Sequence, residues 1–445
     1  MKFCQITTFC DSYLLEFYKN NKYFTNTSYE EQISSLLKDG FGASHMIAPY
    51  LSQLGYDSRL IIANCQPAQF QWAKTNGFSF NQQHWFYEIV RNQIETFKPD
   101  ILYVLDPTAF DSKFIRSLNW QPSFIFGWRA ASIPAGIDWT EFDVILSNSP
   151  ACQKQAVKIG AKSVEHFFPG FPDFVADAVK DNQKEWDVVF SGQLTYEHTR
   201  RIKLLNEVAK APLGISGEYS IAYFVAGNQQ SLPAGIEMHN HGPRWGMDMY
   251  RALKSGKIVL NVHIDIAQKD NKAGNMRLFE TTGVGSFLLT DYLNGIEEYF
   301  KPCEEIETFQ DQNELIEKIY YYLDHPKERE AIAKRGQERC LRDYSMTKKA
   351  EEFDAIIQKH LRLKSKSVPL HAKEIKKSEG EDPYDIAYKW GWNQPQLREL
   401  VYLCYKTPNF AENARRFFLS AEFHEAVRIL TELGKKPDKS IRVLD

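Results

Sequence analysis

Residues 274–285 have the sequence Gly274-Asn275-Met276-Arg277-Leu278-Phe279-Glu280-Thr281-Thr282-Gly283-Val284-Gly285. We expect this stretch to enter a helix, and its last two glycines to end the helix before the next strand. A helix N-terminus beside Asn275 and Arg277 suits a diphosphate, and the carboxylate of Glu280 can accept hydrogen bonds from two ribose hydroxyls. The stretch therefore predicts a nucleotide site. The alternative, from these residues alone, is an amphipathic helix with solvated charges.

Short apolar runs typical of strands recur on both sides of residue 172, with amphipathic stretches between them. They lie at 3–8, 58–63, 101–105, 123–127 and 144–147 in the first half, and at 186–191, 221–226, 258–262 and 287–290 in the second. This alternation predicts α/β layers with a mostly parallel sheet in each half. Two such halves predict a cleft between two domains, with ligands bound beyond the carboxyl ends of the strands.

The composition argues against several classes of protein. The net charge of -3 lacks the basic excess of dedicated nucleic-acid binders, so no nucleic-acid partner is expected. The seven cysteines form no Cys-x-x-Cys pair, which argues against a zinc site or a disulfide framework and predicts a reducing, cytoplasmic compartment. No apolar run reaches about 18 residues, so no transmembrane helix is expected. A peripheral association with the inner face of a membrane stays compatible with the sequence.

Several short motifs follow the opening stretch along the chain. They are Leu288-Leu289-Thr290-Asp291, Asn313-Glu314-Leu315, His325-Pro326-Lys327-Glu328-Arg329 and Gly336. From Gly274 through Tyr344 the sequence resembles the C-terminal half of group 1 glycosyltransferases, particularly the CgeB-like (spore-maturation type) branch, and the resemblance extends more loosely back to Trp186. It implies a GT-B fold, in which two Rossmann-like domains face a cleft. It also implies a nucleotide-sugar donor and transfer without a metal or another cofactor.

One position departs from that family. Many group 1 enzymes carry two glutamates separated by seven residues, and Glu280 matches the second of them, whereas Lys272 stands at the first. The resemblance therefore implies that Glu280 binds the donor ribose. It assigns no residue to the sugar-contacting role of the first glutamate, so the donor sugar and the anomeric outcome stay open.

Further donor-side residues are predicted at strand ends. Gly192 follows a strand and would let backbone amides approach a phosphate that nearby cations neutralise, although basic surface helices are common. The loop around Gly242 could hold a base through its backbone, and Tyr250 either flanks the nucleotide or is simply core. His239 and His241 lack a third ligand and no Asp-x-Asp occurs, so no metal site is predicted. The complete predicted donor nucleotide-binding set is Gly192, Arg200, Arg201, Lys203, Gly242, Tyr250, Lys254, Asn275, Arg277 and Glu280.

A glycine-rich loop before residue 45 is predicted to lie on the acceptor side of the cleft. Its residues Gly40, Gly42 and Ser44 do not form the Gly-x-Gly-x-x-Gly pattern of dinucleotide binding. His45 could act as the general base on an acceptor hydroxyl, or it could simply cap a helix or pack. Asp106 is the rival base, unless it only makes a turn with the following proline. His45 is slightly preferred.

Together these features predict four regions. They are an acceptor-side Rossmann-like domain at 1–172, a nucleotide-sugar-binding Rossmann-like domain at 173–363, a charged linker at 364–382, and an α-helical, tetratricopeptide-like module at 383–445 that could recruit a protein partner. The predicted function is transfer of a sugar from a nucleotide-sugar donor to a hydroxyl of a glycan, a lipid-linked glycan or a protein. Two alternatives stay open: a GT-B-fold epimerase or hydrolase of the sugar nucleotide, and a non-catalytic nucleotide-sugar-binding scaffold that uses the C-terminal helices.

Overall fold

The computed structural model describes residues 1–195, 198–211, 219–226, 232–365 and 373–374. These residues form two parallel sheets flanked by helices, which confirms the predicted α/β class. The module predicted at 383–445 lies outside the described residues, and so does the predicted linker except for residues 364, 365, 373 and 374. Within the described part, no helix is long and apolar enough to cross a membrane.

The first sheet contains six parallel strands in the order β2-β1-β3-β5-β6-β7. Its strands are β1 (Lys2–Thr7), β2 (Asp57–Ile62), β3 (Ile101–Val104), β5 (Phe124–Trp128), β6 (Val144–Ser147) and β7 (Val164–His166). All residues of β3, β5 and β6 are buried, as expected for parallel strands that are covered on both faces. A separate antiparallel pair joins β4 (Trp120–Gln121) to β13 (Lys373–Glu374).

The second sheet contains five parallel strands in the order β12-β11-β10-β8-β9. Its strands are β8 (Trp186–Gln193), β9 (Ile221–Ala226), β10 (Gly256–Asn261), β11 (Phe287–Asp291) and β12 (Glu307–Phe309). Each face of this sheet is covered by its own cluster of buried apolar side chains, one built around α13 and one around α9 and α15, whose bounds follow.

Seventeen α-helices connect the described strands. They are α1 (Asp11–Asn20), α2 (Tyr29–Asp39), α3 (Ala48–Gln53), α4 (Gln66–Thr75), α5 (Trp85–Phe97), α6 (Ser112–Ser117), α7 (Pro150–Lys158), α8 (Asp173–Val179), α9 (Thr199–Lys210), α10 (Ala234–Met238), α11 (Gly246–Ser255), α12 (Asp265–Asp270), α13 (Met276–Gly283), α14 (Ile296–Tyr299), α15 (Gln312–Asp324), α16 (Pro326–Asp343) and α17 (Met346–Ser365). Two 3-10 turns lie at Lys22–Asn26 and Ala43–His45.

The chain crosses twice between the two sheets, and the two crossings pair with each other. The N–H of Phe171 donates to the carbonyl of Tyr344 (2.7 Å), and the N–H of Met346 donates back to the carbonyl of Phe171 (2.8 Å). The returning chain forms α17, whose Phe353 packs edge-on against Phe3 in the core of the first sheet. A helix from the range predicted as the second domain thus completes the core of the first.

A second contact between the domains lies at the start of α11. Asp39, the last residue of α2, accepts a hydrogen bond from the Tyr13 hydroxyl (2.8 Å) and one from the backbone N–H of Met247. Burial raises the pKa of this carboxyl, against the hydrogen bond from Tyr13. Gly246 has φ +52°, and a Cβ there would lie 1.8 Å from Asp39 Oδ2. Only glycine therefore fits at this approach of the two domains.

Candidate active site

The candidate site lies at the carboxyl edge of the second sheet, where the strand order changes direction. β8 lies between β9 and β10 in the sheet: the chain passes from β8 to β9 on one side, and then returns to β10 on the other. The loops that follow β8 and β10 therefore leave the sheet in opposite directions, which opens a crevice for a ligand. β8 ends just after Gly192, and β10 ends at Asn261, before the loop that leads to α13. The structure brings these two predicted donor segments to one edge.

Helix α13 places Arg277 and Glu280 side by side, because residues three apart share a helix face. Arg277 Nη1 lies 3.0 Å from Glu280 Oε2, and only 15% and 13% of the two side chains are exposed. The same nitrogen lies 2.9 Å from the sulfur of Met249 on α11. A guanidinium has five N–H donors, so Arg277 can hold Glu280 and still contact an anion.

Arg201 adds positive charge beside this pair. Its Nε and Nη2 donate to the carbonyl of Val262 (2.9 and 2.6 Å), and its Nη1 donates to the carbonyl of Gln193 (2.8 Å). Burial, followed by the charge of Arg277, lowers the pKa of Arg201 to about 10. Each of its three nitrogens donates to a backbone carbonyl, which leaves two of its five N–H groups and its charge to act on an anion. Two guanidinium groups in one buried crevice favour binding of an anion.

Arg200 and Lys203, which were predicted as phosphate ligands with Arg201, are placed differently. Arg200 Nη1 pairs with Asp291 (2.9 Å), and its Nη2 donates to the carbonyl of Gln310 (3.0 Å). Lys203 is exposed on α9. Arg201 is thus bound to the backbone within range of the charge of Arg277, whereas Arg200 is paired with Asp291.

The amino-terminal end of α9 is occupied by a side chain of α12. Asp265 Oδ2 accepts from the N–H of Thr199 (2.8 Å) and from its hydroxyl (2.6 Å), and Oδ1 accepts from the N–H of Arg200 (3.3 Å). The first amides of α9 are therefore already bound to a carboxylate, and the positive end of this helix supports Asp265.

Gly192, Gly242 and Tyr250 were also predicted to belong to the donor site. A Cβ at Gly192 would be 3.1 Å from the Phe190 ring and 3.9 Å from Arg201 Nη1, so glycine allows a close approach there. Gly242 has φ +77° with open space beside it. Tyr250 is fully buried against Phe171, and burial, followed by the charge of Glu280, raises its pKa. It lies beneath the Arg277–Glu280 pair as part of the core, which was the alternative interpretation.

Lys254 does not lie with the other predicted donor residues, and its assignment to the donor site is corrected. It stands in the last turn of α11, where its carbonyl accepts a hydrogen bond from Lys184 Nζ (2.7 Å), just ahead of β8. This is the amino-terminal edge of the sheet, whereas Arg277 lies at the carboxyl edge. The two edges are roughly 20 Å apart, because a strand of six residues has about that length. Helix α11 runs antiparallel to the strands, so its last turn, which carries Lys254, lies at the edge opposite the candidate site.

A buried polar network, which the sequence did not predict, supports the start of the 274–283 segment. His263 is 1% exposed, and its Nδ1 lies 2.8 Å from Asp291 Oδ1. The backbone N–H of Gly274 donates to His263 Nε2 (3.3 Å). Asp291 also accepts from Gln268 and Arg200. Burial acts to raise the pKa of Asp291, but the hydrogen bond and charge of His263, with Arg200, lower it overall. A histidine directly after an apolar strand was the available signal.

Asn275 stands at the N-cap position of α13, but its side chain makes no capping hydrogen bond and instead reaches back to the end of β10. Its Nδ2 donates to Asn261 Oδ1 (3.0 Å), and Asn261 Nδ2 donates to the Thr290 hydroxyl (2.8 Å). The first domain meets the segment here as well, because a Cβ at Gly274 would lie 3.6 Å from Asn148 Nδ2. Lys272 is exposed, and its charge acts on His166 at the end of β7. The start of the 274–283 segment therefore lies at the interface between the two domains.

The acceptor-side loop also lies between the domains. Gly40 ends α2 with φ +79°, and a Cβ there would lie 3.6 Å from both Phe174 and Tyr250. Gly42 has φ +65° and packs against Phe9. The carbonyl of Ser44 accepts from the N–H of Gly170 (3.3 Å), next to the crossing at Phe171. These contacts place Gly40 against the second domain and Ser44 beside the crossing between the domains, whereas Gly42 packs within the first domain.

His45 ends the 3-10 turn and faces the first sheet. Ser44 Oγ lies 3.0 Å from His45 Nδ1, and the imidazole packs edge-on against Trp128 at the end of β5, with the ring centres 5.7 Å apart. Burial lowers the pKa of His45 to about 4. The imidazole is therefore neutral at pH 7, in the form that can accept a proton, but it is a weaker base than an ordinary histidine.

Asp106 follows β3 and forms the turn that was its alternative interpretation. Its Oδ1 accepts from the Thr108 hydroxyl (2.6 Å) and from the N–H of Ala109 (3.2 Å), and its Oδ2 accepts from the Thr8 hydroxyl (3.1 Å). Thr8 follows β1, so Asp106 lies where the order of the first sheet changes direction. Its role as a base stays a prediction. Across the described residues, no group of three or more His, Cys, Asp or Glu side chains could hold a metal ion.

Residues 200–355 match the family described as glycosyl transferase-like. This segment is about a third of the chain and contains Arg201, His263, Arg277, Glu280 and Asp291. It overlaps the region that carried the resemblance to group 1 glycosyltransferases. No curated protein sequence matches the chain.

Several solved structures share the fold. Alr3699/HepE from Anabaena in complex with UDP and glucose aligns with a TM-score of 0.50 and 13% identity, covering 81% of this chain and 100% of that chain. A glycosyltransferase from Rickettsia africae ESF-5 aligns with a TM-score of 0.50 and 11% identity, covering 81% and 98%. The same Anabaena protein in complex with UDP-glucose gives a TM-score of 0.51 at 10% identity, with coverage of 81% and 100%. The chain therefore has the GT-B fold, two Rossmann-like domains facing a cleft, and its residues 200–355 match a glycosyl transferase-like family.

Proposed function

We propose that the protein transfers a glycosyl group from a nucleoside-diphosphate sugar to a hydroxyl acceptor, without a metal ion. The observation that carries the proposal is the Arg277–Glu280 pair beside Arg201, buried at the switch point of the second sheet. An acid that can hold a ribose and two cations that can face a diphosphate match the two polar ends of such a donor. The family match over 200–355 supports the same assignment.

In the proposed reaction, the bond between the anomeric carbon and the diphosphate oxygen breaks, and the acceptor oxygen bonds to that carbon. The nucleoside diphosphate leaves with the bonding electron pair, and the acceptor proton passes to a base. Arg277 would donate hydrogen bonds to the leaving phosphate, and the nearby charge of Arg201 would add to the attraction. Fixed positive groups in a dry crevice can stabilise the departing charge as a metal would elsewhere.

We infer that a uridine nucleotide is the first donor to test. The Anabaena relative is described in complex with UDP and with UDP-glucose, and its fold covers 81% of this chain. We propose a glycan, a lipid-linked glycan or a protein as the acceptor, and we place the chain in the CgeB-like branch of group 1 glycosyltransferases. We also propose that residues 383–445 recruit a protein partner. The protein would act in the cytoplasm, at or near the inner face of a membrane.

Nucleotide binding should raise the melting temperature of the wild-type chain. A ligand at about 100 times its Kd adds about 2.7 kcal/mol to the stability of the native state. We expect such a shift with one of UDP, GDP or TDP, and a titration of that nucleotide should give Kd. Glu280→Gln should weaken Kd roughly 10- to 100-fold, because hydrogen bonds to a charged acceptor are lost.

The matched control for this measurement is Glu351→Gln. Glu351 also pairs with a cation three residues away, Lys348 (2.8 Å), but on the exposed surface of α17. The Glu351→Gln variant should bind the nucleotide with the same Kd as the wild type. A wild-type chain that shifts with none of the three nucleotides, or a Glu280→Gln variant that binds as tightly as the control, would remove the basis of the proposal.

The pH profile should identify the base on the acceptor side, for which we propose His45. Because burial lowers its pKa to about 4, His45 is unprotonated above roughly pH 5, and it loses this form only as the pH falls through that value. kcat/KM should therefore stay flat between about pH 5.5 and 7. His45→Gln should lower kcat at least about tenfold while the KM for the donor changes little. If Asp106→Asn lowers kcat and His45→Gln does not, the role belongs to Asp106.

A further inference from the structure

The start of the donor segment is held by a histidine that no substrate needs to touch. Gly274 has φ +140°, a backbone conformation that favours glycine, and its N–H donates to His263 Nε2 (3.3 Å). His263 is buried at the end of β10, and Asp291 ends the neighbouring strand β11. The contact therefore joins the carboxyl ends of two central strands to the residue that opens the 274–283 segment.

The hydrogen bonds define the tautomer of His263. A backbone N–H can only donate, so Nε2 accepts and carries no proton. Nδ1 must then carry the proton, and it donates to Asp291 Oδ1 (2.8 Å). The backbone N–H of His263 donates to the same carboxylate (3.0 Å). Asp291 thus orients the imidazole and presents its lone pair to Gly274, much as a carboxylate fixes the tautomer of a metal-binding or catalytic histidine.

Charged and polar groups on other elements hold the carboxylate in turn. Arg200 of α9 pairs with Asp291 Oδ2 (2.9 Å), and Gln268 of α12 donates to the same oxygen. Asp291 therefore does not depend on His263 alone for its partners. A side chain at 263 can lose one of its two hydrogen bonds while the other side of the network stays in place.

We propose that His263, held in one tautomer by Asp291, is a positioning residue that fixes the Gly274 amide and through it the donor-binding face of α13. Only two residues separate Gly274 from Arg277, so a change in the direction of the Gly274 amide moves the start of the helix that carries Arg277 and Glu280. The consequence for the donor rests on the proposed function. The positioning itself is a property of the chain and can be measured without any ligand.

Two substitutions separate the bonds of His263. The amide of asparagine reaches the position of Nδ1, and the amide of glutamine reaches that of Nε2. His263→Asn keeps the hydrogen bond to Asp291 and removes the acceptor for Gly274, whereas His263→Gln keeps an acceptor for Gly274. The control is His360→Asn, because His360 Nε2 also lies on a carboxylate, Glu165 (2.7 Å), where α17 meets β7. It removes a similar pair, which lies beside Phe124 of the first sheet.

The first measurement is hydrogen exchange of the Gly274 amide in the full chain, by NMR with glycine labelled in ¹⁵N. We expect at least tenfold faster exchange in His263→Asn than in His263→Gln and in the control. Equal exchange of this amide in His263→Asn and the wild type would overturn the proposal. Because no nucleotide is present, this result stands apart from the proposed function.

The second measurement is binding of UDP, GDP and TDP, together with the KM for the corresponding sugar nucleotide. We expect Kd and KM to rise about tenfold in His263→Asn, with a smaller rise in His263→Gln and none in the control. Equal losses in both His263 variants, scaling only with their melting temperatures, would show a merely structural histidine. A wild type that binds none of the three nucleotides would overturn the proposed function, while the exchange measurement still decides the positioning.

Discussion

Arg277→Ala should lower kcat/KM roughly 10²- to 10³-fold, the range seen when one preorganised donor to a developing anion is removed. Arg277 lies in a buried crevice beside Glu280 (3.0 Å), and its charge is felt by Arg201. In the proposed reaction the leaving diphosphate gains negative charge as its bond to the anomeric carbon breaks, so a cation at this place would act most strongly in the transition state. The loss should therefore appear mainly in kcat.

The measurement is steady-state turnover of the nucleotide sugar, with the melting temperature recorded for each variant. Arg342→Ala is the control, because Arg342 pairs with Asp343 on the surface (2.9 Å) and is 60% exposed. Arg277→Lys should recover part of kcat, since a point charge replaces a fork of donors. Unchanged kcat in Arg277→Ala would mean that the leaving group is stabilised elsewhere.

The position of the site was predictable because it follows from strand order and strand ends. The carboxyl ends of parallel strands meet at one edge, so the glycine at the end of β8 and the polar segment after β10 were expected to lie at the same edge. The pair three residues apart in α13 needed only helical periodicity. Arg277 and Glu280 were therefore correctly expected to lie together from the sequence.

Neighbouring cations show where this reasoning ends. Arg200 and Arg201 project about 100° apart around α9, and only tertiary packing decides which direction faces the sheet. Arg201 turns in to the carbonyls of Val262 and Gln193, while Arg200 meets Asp291. Lys254 was expected at the site because its helix flanks it, but the direction of that helix carries its last turn to the opposite edge.

Long-range partners escaped the sequence for a related reason. His263 is separated from Asp291 by 28 residues, and Asp39 lies in the other domain from the amide of Met247 that it binds. No local pattern specifies such a pair. The burial of His45 could not be predicted from the sequence either. Its expected role as a base assumed an ordinary pKa, but burial lowers that pKa to about 4.

Gly283→Ala decides between local propensity and tertiary packing at the end of the donor helix. Gly283 is the last residue of α13, and alanine in a helix is favoured over glycine by up to about 1 kcal/mol. A Cβ there would, however, lie 2.4 Å from the ring of Phe171, which is fully buried and whose backbone joins the two crossings between the domains. Such a ring has little room to move.

We therefore expect Gly283→Ala to lower the free energy of unfolding by about 1–3 kcal/mol, because overpacking outweighs the gain in helix propensity. Denaturant unfolding measures the change, and Phe171→Leu serves as the second arm of a double-mutant cycle. Leucine shortens the opposing side chain, so the double variant should be more stable than the sum of the two losses predicts. Strict additivity, or a Gly283→Ala variant more stable than the wild type, would show that Phe171 yields. The close contact between the donor helix and the interdomain crossing would then contribute little to holding the two domains together.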